Sequence, residues 1–412
     1  MKRSDFEIMA PVGSWESLAA AIQGGANAVY FGIEGLNMRS RSSANFTADD
    51  MDEIVRICNE NNVKTYLTVN TVIYDNDITL LHTIIDRAKA AGISAIIASD
   101  MAAILYARSI GQDVHISTQV NVANYEAVRF YAQFADVMVL ARELSLDKVA
   151  EISASIKRDD LRGPNGQPVR LEMFCHGALC MAVSGKCYLS LHEMNSSANR
   201  GACNQICRRG YTVTDRETGE QLAVENQYIM SPKDLKTIHF LNKMVDAGVS
   251  VFKIEGRARG PEYVRETVEC YSEALEAICN GTFSDTLLEG WEKRLAKIFN
   301  RGYWDGYYLG QRLGEWSSKY GSSSTRVKHY IAKATRYFPR LGVGEFRMES
   351  EELHPGDELV LTGPSTGAHI FKAEELRLEV EPVGEVKKGD TFSMPVPAKI
   401  RPGDRLYLWL EK

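Results

Sequence analysis

Short apolar segments alternate with helix-length amphipathic segments from residue 7 to residue 254. The apolar segments are short and rich in β-branched residues, as expected for strands that are covered on both faces. They occupy residues 7–12, 28–33, 64–69, 95–98, 114–117, 137–141, 170–174 and 251–254. Eight strand–helix units predict a parallel (β/α)₈ TIM-like barrel, and a doubly wound open sheet is the alternative.

The spacing of these segments also predicts how the chain is divided. About 75 residues separate the seventh strand from the eighth, which is far longer than an ordinary connection. We therefore expect a barrel over residues 1–282 with a cysteine-rich insertion at 175–232. Residues 283–324 are expected to form a helical and basic/aromatic linker. Short alternating segments and Pro-Gly-Asp turns predict a small C-terminal all-β barrel domain over 325–412.

Composition narrows the class of protein. The formal net charge is −6, which argues against a general nucleic-acid binder but leaves room for a local basic patch. No segment approaches the roughly 20 apolar residues of a membrane span, and the N-terminus lacks the apolar region of a signal peptide. We expect a cytoplasmic protein without a membrane partner.

Five of the eight cysteines lie within 33 residues of one another. Four of them, Cys180, Cys187, Cys203 and Cys207, have the spacing C-x6-C-x15-C-x3-C. A reducing compartment disfavours disulfides, so a metal or cluster site is the leading interpretation. Structural zinc usually has two short cysteine pairs, and only one is present. The spacing favours an iron–sulfur cluster over zinc, with inert structural thiols as the third possibility.

The fifth clustered cysteine, Cys175, lies at the end of the seventh predicted strand. A nucleophile or a spare ligand is possible there. Its neighbour His176 would point to the opposite face of a strand, which weakens a Cys–His pair. The chain has no Gly-x-Ser-x-Gly or His-Glu-x-x-His motif.

Polar residues follow several predicted strands, where barrel enzymes place their chemistry. The candidates for catalysis are Arg142, Glu143, His176, Glu255 and Arg257, and those for a substrate pocket are Asn70, Gln119, Asn121, Arg142 and Arg257. Two arginines suit a small dicarboxylate. The alternative is that these side chains pair with each other and merely close the barrel mouth.

Basic residues occur in two further places. Residues 312–340 contain seven basic residues, one acid and several aromatics, which is typical of RNA contacts. The candidates for RNA binding, in the cysteine loop and in this segment, are Arg200, Arg208, Arg209, Arg326, Lys328 and Arg336. Ordinary solvated charge is the alternative.

Several motifs resemble the collagenase-like family, long filed as U-32 peptidases, and the resemblance covers essentially the whole chain. They are E-x-F-x-H-G-A-x-C-x-A-x-S-G-x-C at residues 172–187, N-R-G-x-C-x-Q-x-C-R at 199–208, S-P-K-D-L at 231–235 and K-I-E-G-R at 253–257. The resemblance implies that Cys180, Cys187, Cys203 and Cys207 hold a [4Fe–4S] cluster.

The resemblance also implies oxygen-independent hydroxylation. Branches of the family act on the wobble uridine of tRNA, on a cytidine of 23S ribosomal RNA, or on ubiquinone precursors. A barrel followed by one small β-domain is similar to the tRNA branch, which makes 5-hydroxyuridine and requires prephenate. The implied partners are the tRNA anticodon region, prephenate and iron–sulfur assembly proteins. The peptidase activity in the family's older name is the alternative.

Overall fold

The computed structural model describes residues 1–38, 46–209, 211–224, 231–311, 314–317 and 321–412. The first strands along the chain are β1 (Glu7–Pro11), β2 (Ala28–Phe31), β3 (Lys64–Val69), β4 (Ala95–Ala98), β5 (Val114–Ile116), β6 (Val137–Val139), β7 (Arg170–Gly177), β8 (Tyr211–Thr214), β9 (Gln221–Val224), β10 (Asp234–Lys236), β11 (Val249–Ile254) and β12 (Tyr303–Trp304). The helices are α1 (Trp15–Gln23), α2 (Met51–Glu60), α3 (Ile78–Ala91), α4 (Met101–Ser109), α5 (Tyr125–Tyr131), α6 (Leu146–Arg158), α7 (Leu189–Met194), α8 (Leu241–Asp246), α9 (Pro261–Cys279) and α10 (Asp285–Lys297).

The strands β1 to β7 pair in chain order and in parallel, and β11 pairs in parallel with both β7 and β1. Eight parallel strands therefore close into a barrel with helices between them. The predicted (β/α)₈ barrel is confirmed, and the open sheet is not formed. Between β7 and β11 the insertion contains α7, the β8–β9 hairpin and β10. Since β10 pairs antiparallel with β7, the insertion returns to the barrel at the carboxyl end of that strand.

Local sequence signals account for several helix boundaries. The Ser14 hydroxyl accepts a hydrogen bond from the backbone N–H of Ser17 and so caps the start of α1. Gly92 has the left-handed conformation, with φ of 83°, that ends α3. Pro261 occupies the first turn of α9, where its missing N–H costs nothing. Within the described ranges no helix combines the length and hydropathy that crossing a membrane requires.

The C-terminal region is antiparallel β-structure, as predicted. Its strands are β13 (Arg326–Phe338), β14 (Val343–Met348), β15 (Glu352–Leu353), β16 (Glu358–Gly363), β17 (Gly367–Lys372), β18 (Leu376–Leu378), β19 (Glu381–Val383), β20 (Val386–Lys387), β21 (Thr391–Pro395) and β22 (Arg405–Glu411). Eight of them form one sheet in the order β17-β16-β22-β13-β14-β21-β18-β19. A separate apolar core lies against this sheet. The exact domain boundaries stay predictions.

The β-structure packs on the outside of the barrel, against α1 and α9. The side-chain amide of Gln23 donates to the carbonyl of Thr366 at 2.8 Å and accepts from the N–H of Ala368 at 3.2 Å. Lys328 forms an ion pair with Glu262 at 2.9 Å. These contacts attach the C-terminal region to the barrel's side.

A substitution at Gly177 tests how closely the end of β7 approaches the backbone of Glu255. Its φ is +102°, and a Cβ there would lie 2.2 Å from the carbonyl oxygen of Glu255. Gly177→Ala should therefore lower the free energy of unfolding by about 2–4 kcal/mol. Gly166 has φ of +71° with nothing within 4 Å, so Gly166→Ala should cost only about 1 kcal/mol. Urea denaturation followed by circular dichroism measures the free energy of unfolding of both variants. Equal losses would contradict the close approach of Gly177 to Glu255.

Glu7 makes stability depend on acid pH. Burial opposes its ionisation, but Lys64 at 2.8 Å, Arg170 at 3.3 Å and the Tyr66 hydroxyl at 2.7 Å hold its pKa at about 2, below the ordinary 4.5. This stabilisation is complete above pH 4.5 and is lost as the pH falls towards 2. The native protein should have a higher free energy of unfolding than Glu7→Gln above pH 4.5. This difference should decrease by a few kcal/mol as the pH falls towards 2. Urea midpoints at stepwise pH measure it, and a constant difference would contradict the assignment.

Candidate functional site

A cavity of about 220 Å³ lies at the carboxyl ends of the barrel strands, beneath the insertion. Residues from the barrel mouth line one side, and residues of the insertion line the other. Its ionisable and amide-bearing lining side chains are Asn70, Gln119, Arg142, Cys180, Cys187, Cys203, Gln205, Cys207, Arg208, Lys253, Glu255, Arg257, Arg259 and Arg301, together with the phenol of Tyr30. Six of these are cationic and one is a carboxylate, so the cavity favours anions.

The four cysteines of the predicted cluster site all line this cavity. Burial raises the pKa of Cys207 to about 11, with Arg208 opposing the shift and the other three thiols adding to it. Burial also raises the pKa of Cys187, and Cys180 and Cys203 add to that shift. The four thiols are therefore close enough to influence one another. Within the described residues, however, no three of their sulfurs lie within 4.8 Å of one another.

Cys175 lies apart from that group. It is fully buried in β7, and its thiol donates to the carbonyl of Lys253 at 3.4 Å. Burial raises its pKa well above the ordinary value of 9.0. A thiol in this environment stays protonated and is a poor nucleophile. Cys58 and Cys270 are likewise buried within helices, whereas Cys279 is half-buried.

Arg142 projects into the cavity with unused hydrogen-bonding capacity. Its guanidinium carbon lies 4.0 Å from the centre of the Phe174 ring, so the cation sits over an aromatic face. Its buried Nε has no hydrogen-bond partner in the described part of the chain. Glu143, the partner considered from the sequence, is exposed and does not line the cavity.

Arg257 and Glu255 are held in place by neighbouring strands. Arg257 donates to the side chains of Asn37 at 3.3 Å and Thr68 at 3.0 Å. Glu255 accepts from the hydroxyl of Tyr30 at 3.1 Å. Each side chain therefore enters the cavity with a fixed orientation.

Two amide side chains form another part of the wall. Asn70 donates to Gln119 at 3.2 Å, and the Asn70 oxygen accepts from the N–H of Met38 at 3.2 Å. Asn121 lies behind them and does not line the cavity. It donates to the carbonyls of Gln119 at 2.8 Å and Ser184 at 3.2 Å, and so ties the insertion to the barrel.

His176 also lies outside the cavity. In the pairing of β7 with β11, Phe174 lies opposite Lys253 and His176 opposite Ile254, so Cys175 is the extra residue of a bulge. The bulge reverses the alternation and turns His176 away from the mouth, among Tyr263, Tyr271 and Tyr303. Burial, with Lys236 and Arg259 adding to it, lowers its pKa to about 3. His176 is therefore neutral at physiological pH.

Lys253 is a cavity residue that was not predicted from the sequence. Its ammonium lies at the cavity floor, 2.8 Å from Glu172. Glu172 has no exposed surface and Lys253 has 5%. Burial raises the pKa of Glu172, and Lys253 opposes that shift. A charged residue inside each of two buried strands was the signal that could have identified this pair.

Arg259 and Arg301 were also missed. They lie on either side of one buried carboxylate, Asp234, at 3.7 and 3.3 Å. Arg259 also stacks on Phe299, with its guanidinium carbon 3.7 Å from the ring centre. Two guanidiniums share one carboxylate, so this wall keeps a net positive charge.

The RNA-binding candidates are scattered. Arg208 lines the cavity and donates to the carbonyl of Leu179 at 3.0 Å. Arg200 pairs with Asp77, while Arg209 and Arg336 are exposed. Arg326 pairs with Glu358 and Glu411, and Lys328 pairs with Glu262. The last two are therefore less available to phosphates. Residues 312, 313 and 318–320 of the basic segment lie outside the described residues.

The fold and cavity define a (β/α)₈ barrel protein with a cysteine-lined mouth. The family model for Peptidase family U32 matches residues 13–318, and the chain belongs to this family. It is 65% identical over 407 residues to a Porphyromonas gingivalis protein named collagenase, covering 99% of this chain and 98% of that protein. It is 31% identical over 326 residues to a tRNA hydroxylation protein of Bacillus subtilis, covering 76% and 74%. It is 32% identical over 316 residues to a 23S rRNA 5-hydroxycytidine synthase of Escherichia coli, covering 75% and 46%.

The buried pair at the cavity floor yields a stability prediction. Glu172→Gln leaves the Lys253 ammonium buried without its carboxylate and should cost about 3–5 kcal/mol. The double variant Glu172→Gln, Lys253→Met removes both charges and should recover most of that loss. Thermal unfolding of the single and double variants measures this. A double variant as unstable as the single one would show that the pair is needed for stability.

Proposed function

We propose that this protein hydroxylates the wobble uridine of tRNA to 5-hydroxyuridine, without oxygen, using a [4Fe–4S] cluster. The observation that carries the proposal is that four cysteines line the same cavity as the cationic barrel mouth. A cluster held there would touch the space in which a substrate binds. The names of the tRNA and rRNA relatives support RNA as the substrate class. Hydroxylation of a 23S rRNA cytidine is the nearest alternative.

In the described residues, the distances between the four thiols differ from those of a zinc site. Four thiolates around one zinc ion lie about 3.8 Å apart, since each Zn–S bond is about 2.3 Å. In a [4Fe–4S] cluster each thiolate binds a different iron atom, so the sulfurs lie farther apart. In the part of the chain that is described, no three of the four sulfurs lie within 4.8 Å of one another, which is wider than the zinc spacing requires. When bound, the cluster supplies one-electron chemistry. Iron–sulfur assembly proteins would then be partners.

The cations of the cavity support a small dicarboxylate ligand such as prephenate. Among the described residues Arg142 Nε has no hydrogen-bond partner, and its guanidinium lies over the Phe174 ring. Arg259 and Arg301 present a second positive wall. Two separated cationic groups suit two carboxylates, and guanidiniums bind carboxylates in a fixed bidentate geometry. The same cations offset the negative charge of four thiolates.

A collagenase-like peptidase is the second candidate, because the relative at 65% identity is named collagenase. A cysteine peptidase needs an activated thiol beside a base. Cys175 is buried and protonated, and its neighbour His176 is turned away with its pKa lowered to about 3. The thiols that reach the cavity are the four cluster candidates. The site therefore supports hydroxylation better than peptide cleavage.

The proposed function predicts opposite effects for two cysteines. In a deletion strain, loss of the gene should abolish 5-hydroxyuridine-derived nucleosides, and Cys203→Ser should fail to restore them. Cys279→Ser should restore them fully, since Cys279 lies on α9 outside the cavity. Nucleoside mass spectrometry measures the modification, and iron and sulfide analysis of anaerobically purified protein measures the cluster. Unchanged 5-hydroxyuridine in the deletion strain would overturn the function.

The same variants separate the two candidates. Purified protein is incubated with denatured collagen, and the fragments are resolved by electrophoresis. Cleavage that disappears in Cys175→Ala but persists in Cys203→Ser would favour the peptidase. Iron-free protein that retains zinc at the four cysteines would instead indicate a structural metal site.

A further inference from the structure

The outer surface of the insertion is unusually apolar for a solvent-facing segment. Exposed hydrophobic side chains recur along fourteen residues of it; they are Met181, Val183, Tyr188, Leu191 and Met194. Exposed apolar side chains grouped in one segment are typical of interaction sites. A shallow groove of about 390 Å³ runs along it. Met181 and Cys187 line both this groove and the central cavity, so the two adjoin at these residues.

The cysteine-bearing first part of the insertion has a net charge opposite in sign to that of the whole chain. Residues 178–209 contain four basic residues and one acid, a net charge of +3, whereas the whole chain carries −6. The basic residues are Lys186, Arg200, Arg208 and Arg209. A positive patch on a negative protein directs a polyanion to one place. An acidic electron-carrier protein would be attracted by the same charge.

Aromatic side chains distinguish these two partners. Tyr188 is 74% exposed and directly follows Cys187, at the opening of the cavity. Tyr74 is 58% exposed, and the Arg200 guanidinium lies 4.1 Å from its ring centre. Tyr74 belongs to the loop after β3, which is joined to the insertion by the hydrogen bond from Val72 to Asn199 at 3.1 Å. Exposed aromatic faces beside guanidiniums suit unpaired nucleobases and their phosphates.

We propose that this surface, formed by Met181, Tyr188, Tyr74 and Arg200, binds the unpaired nucleotides that flank the target base in an RNA loop. The inference rests on the proposed function and assigns the substrate's binding surface. A base must leave its stack to enter the cavity. Stacking of its neighbours on Tyr188 and Tyr74 replaces the contacts that are lost, and Arg200, which is paired with Asp77, holds the Tyr74 ring in place.

Fluorescence anisotropy with a fluorescein-labelled, unmodified anticodon stem–loop tests the surface, with anaerobically purified cluster-loaded protein. Tyr188→Ala should weaken binding by about 5- to 150-fold, the range for loss of one base–aromatic stack. Tyr188→Phe keeps the ring and should bind within about 2-fold of the native protein. Phe130 on α5 is 51% exposed outside this surface, so Phe130→Ala is the matched control and should change nothing.

The second variant, Tyr74→Ala, is a control for indirect effects, because Tyr188→Ala could weaken RNA binding by disturbing the cluster site next to it. Iron content is measured for each variant, and Tyr74→Ala should weaken RNA binding with iron unchanged. Native affinity in both Tyr188→Ala and Tyr74→Ala would overturn the inference. Equal competition by an RNA duplex without a loop would overturn it too, as would slower reduction of the cluster by an acidic ferredoxin with RNA binding intact.

The outcome for the proposed function is separate. Protein that binds the stem–loop through Tyr188, in a strain whose wobble uridines do not depend on it, would leave the surface standing and remove the function. Normal 5-hydroxyuridine in a strain carrying Tyr188→Ala, together with native RNA affinity of that variant, would remove the proposed surface and leave the proposed function standing.

Discussion

The ion pair between Glu172 and Lys253 is the contact around which the site is arranged. It joins β7 to β11, which are the strands before and after the insertion. The pair therefore fixes the two ends from which the cysteine-bearing segment leaves and returns. Buried ion pairs contribute little net stability, because both charges lose their hydration. Lys253 lines the cavity and Glu172 does not, so the pair turns its cationic member towards a ligand.

Above that floor the walls have more positive charge than their own carboxylates can neutralise. Asp234 serves both Arg259 and Arg301, and Arg142 rests on an aromatic ring in place of an acid. Such an arrangement is costly without an anion, since like charges are held together in a partly dehydrated space. Four thiolates on the opposite wall and a small carboxylate ligand would both relieve it. The proposed cluster and the proposed co-substrate would therefore both neutralise part of this positive charge.

This chain is similar both to a protein named collagenase and to a protein named for tRNA hydroxylation. The barrel accommodates either chemistry, because a fold does not determine a reaction. The state of individual side chains separates the two candidates. Cys175 is enclosed and protonated, whereas the other four clustered cysteines face the cavity.

The amino-acid sequence by itself determined the barrel and the grouping of the four cysteines. Strand and helix periodicity is local, and so is the spacing of residues in one loop. Five of the polar residues expected at the strand ends do line the cavity; they are Asn70, Gln119, Arg142, Glu255 and Arg257. Only the tertiary structure decided the rest. A bulge at Cys175 turns His176 away from the mouth, and Asn121 fastens the insertion where a ligand contact was expected. Lys253 and Arg259 reach the cavity from the end of β11 and the loop after it, and Arg301 reaches it from beyond α10. Strand register and loop return depend on long-range packing, which no local pattern encodes.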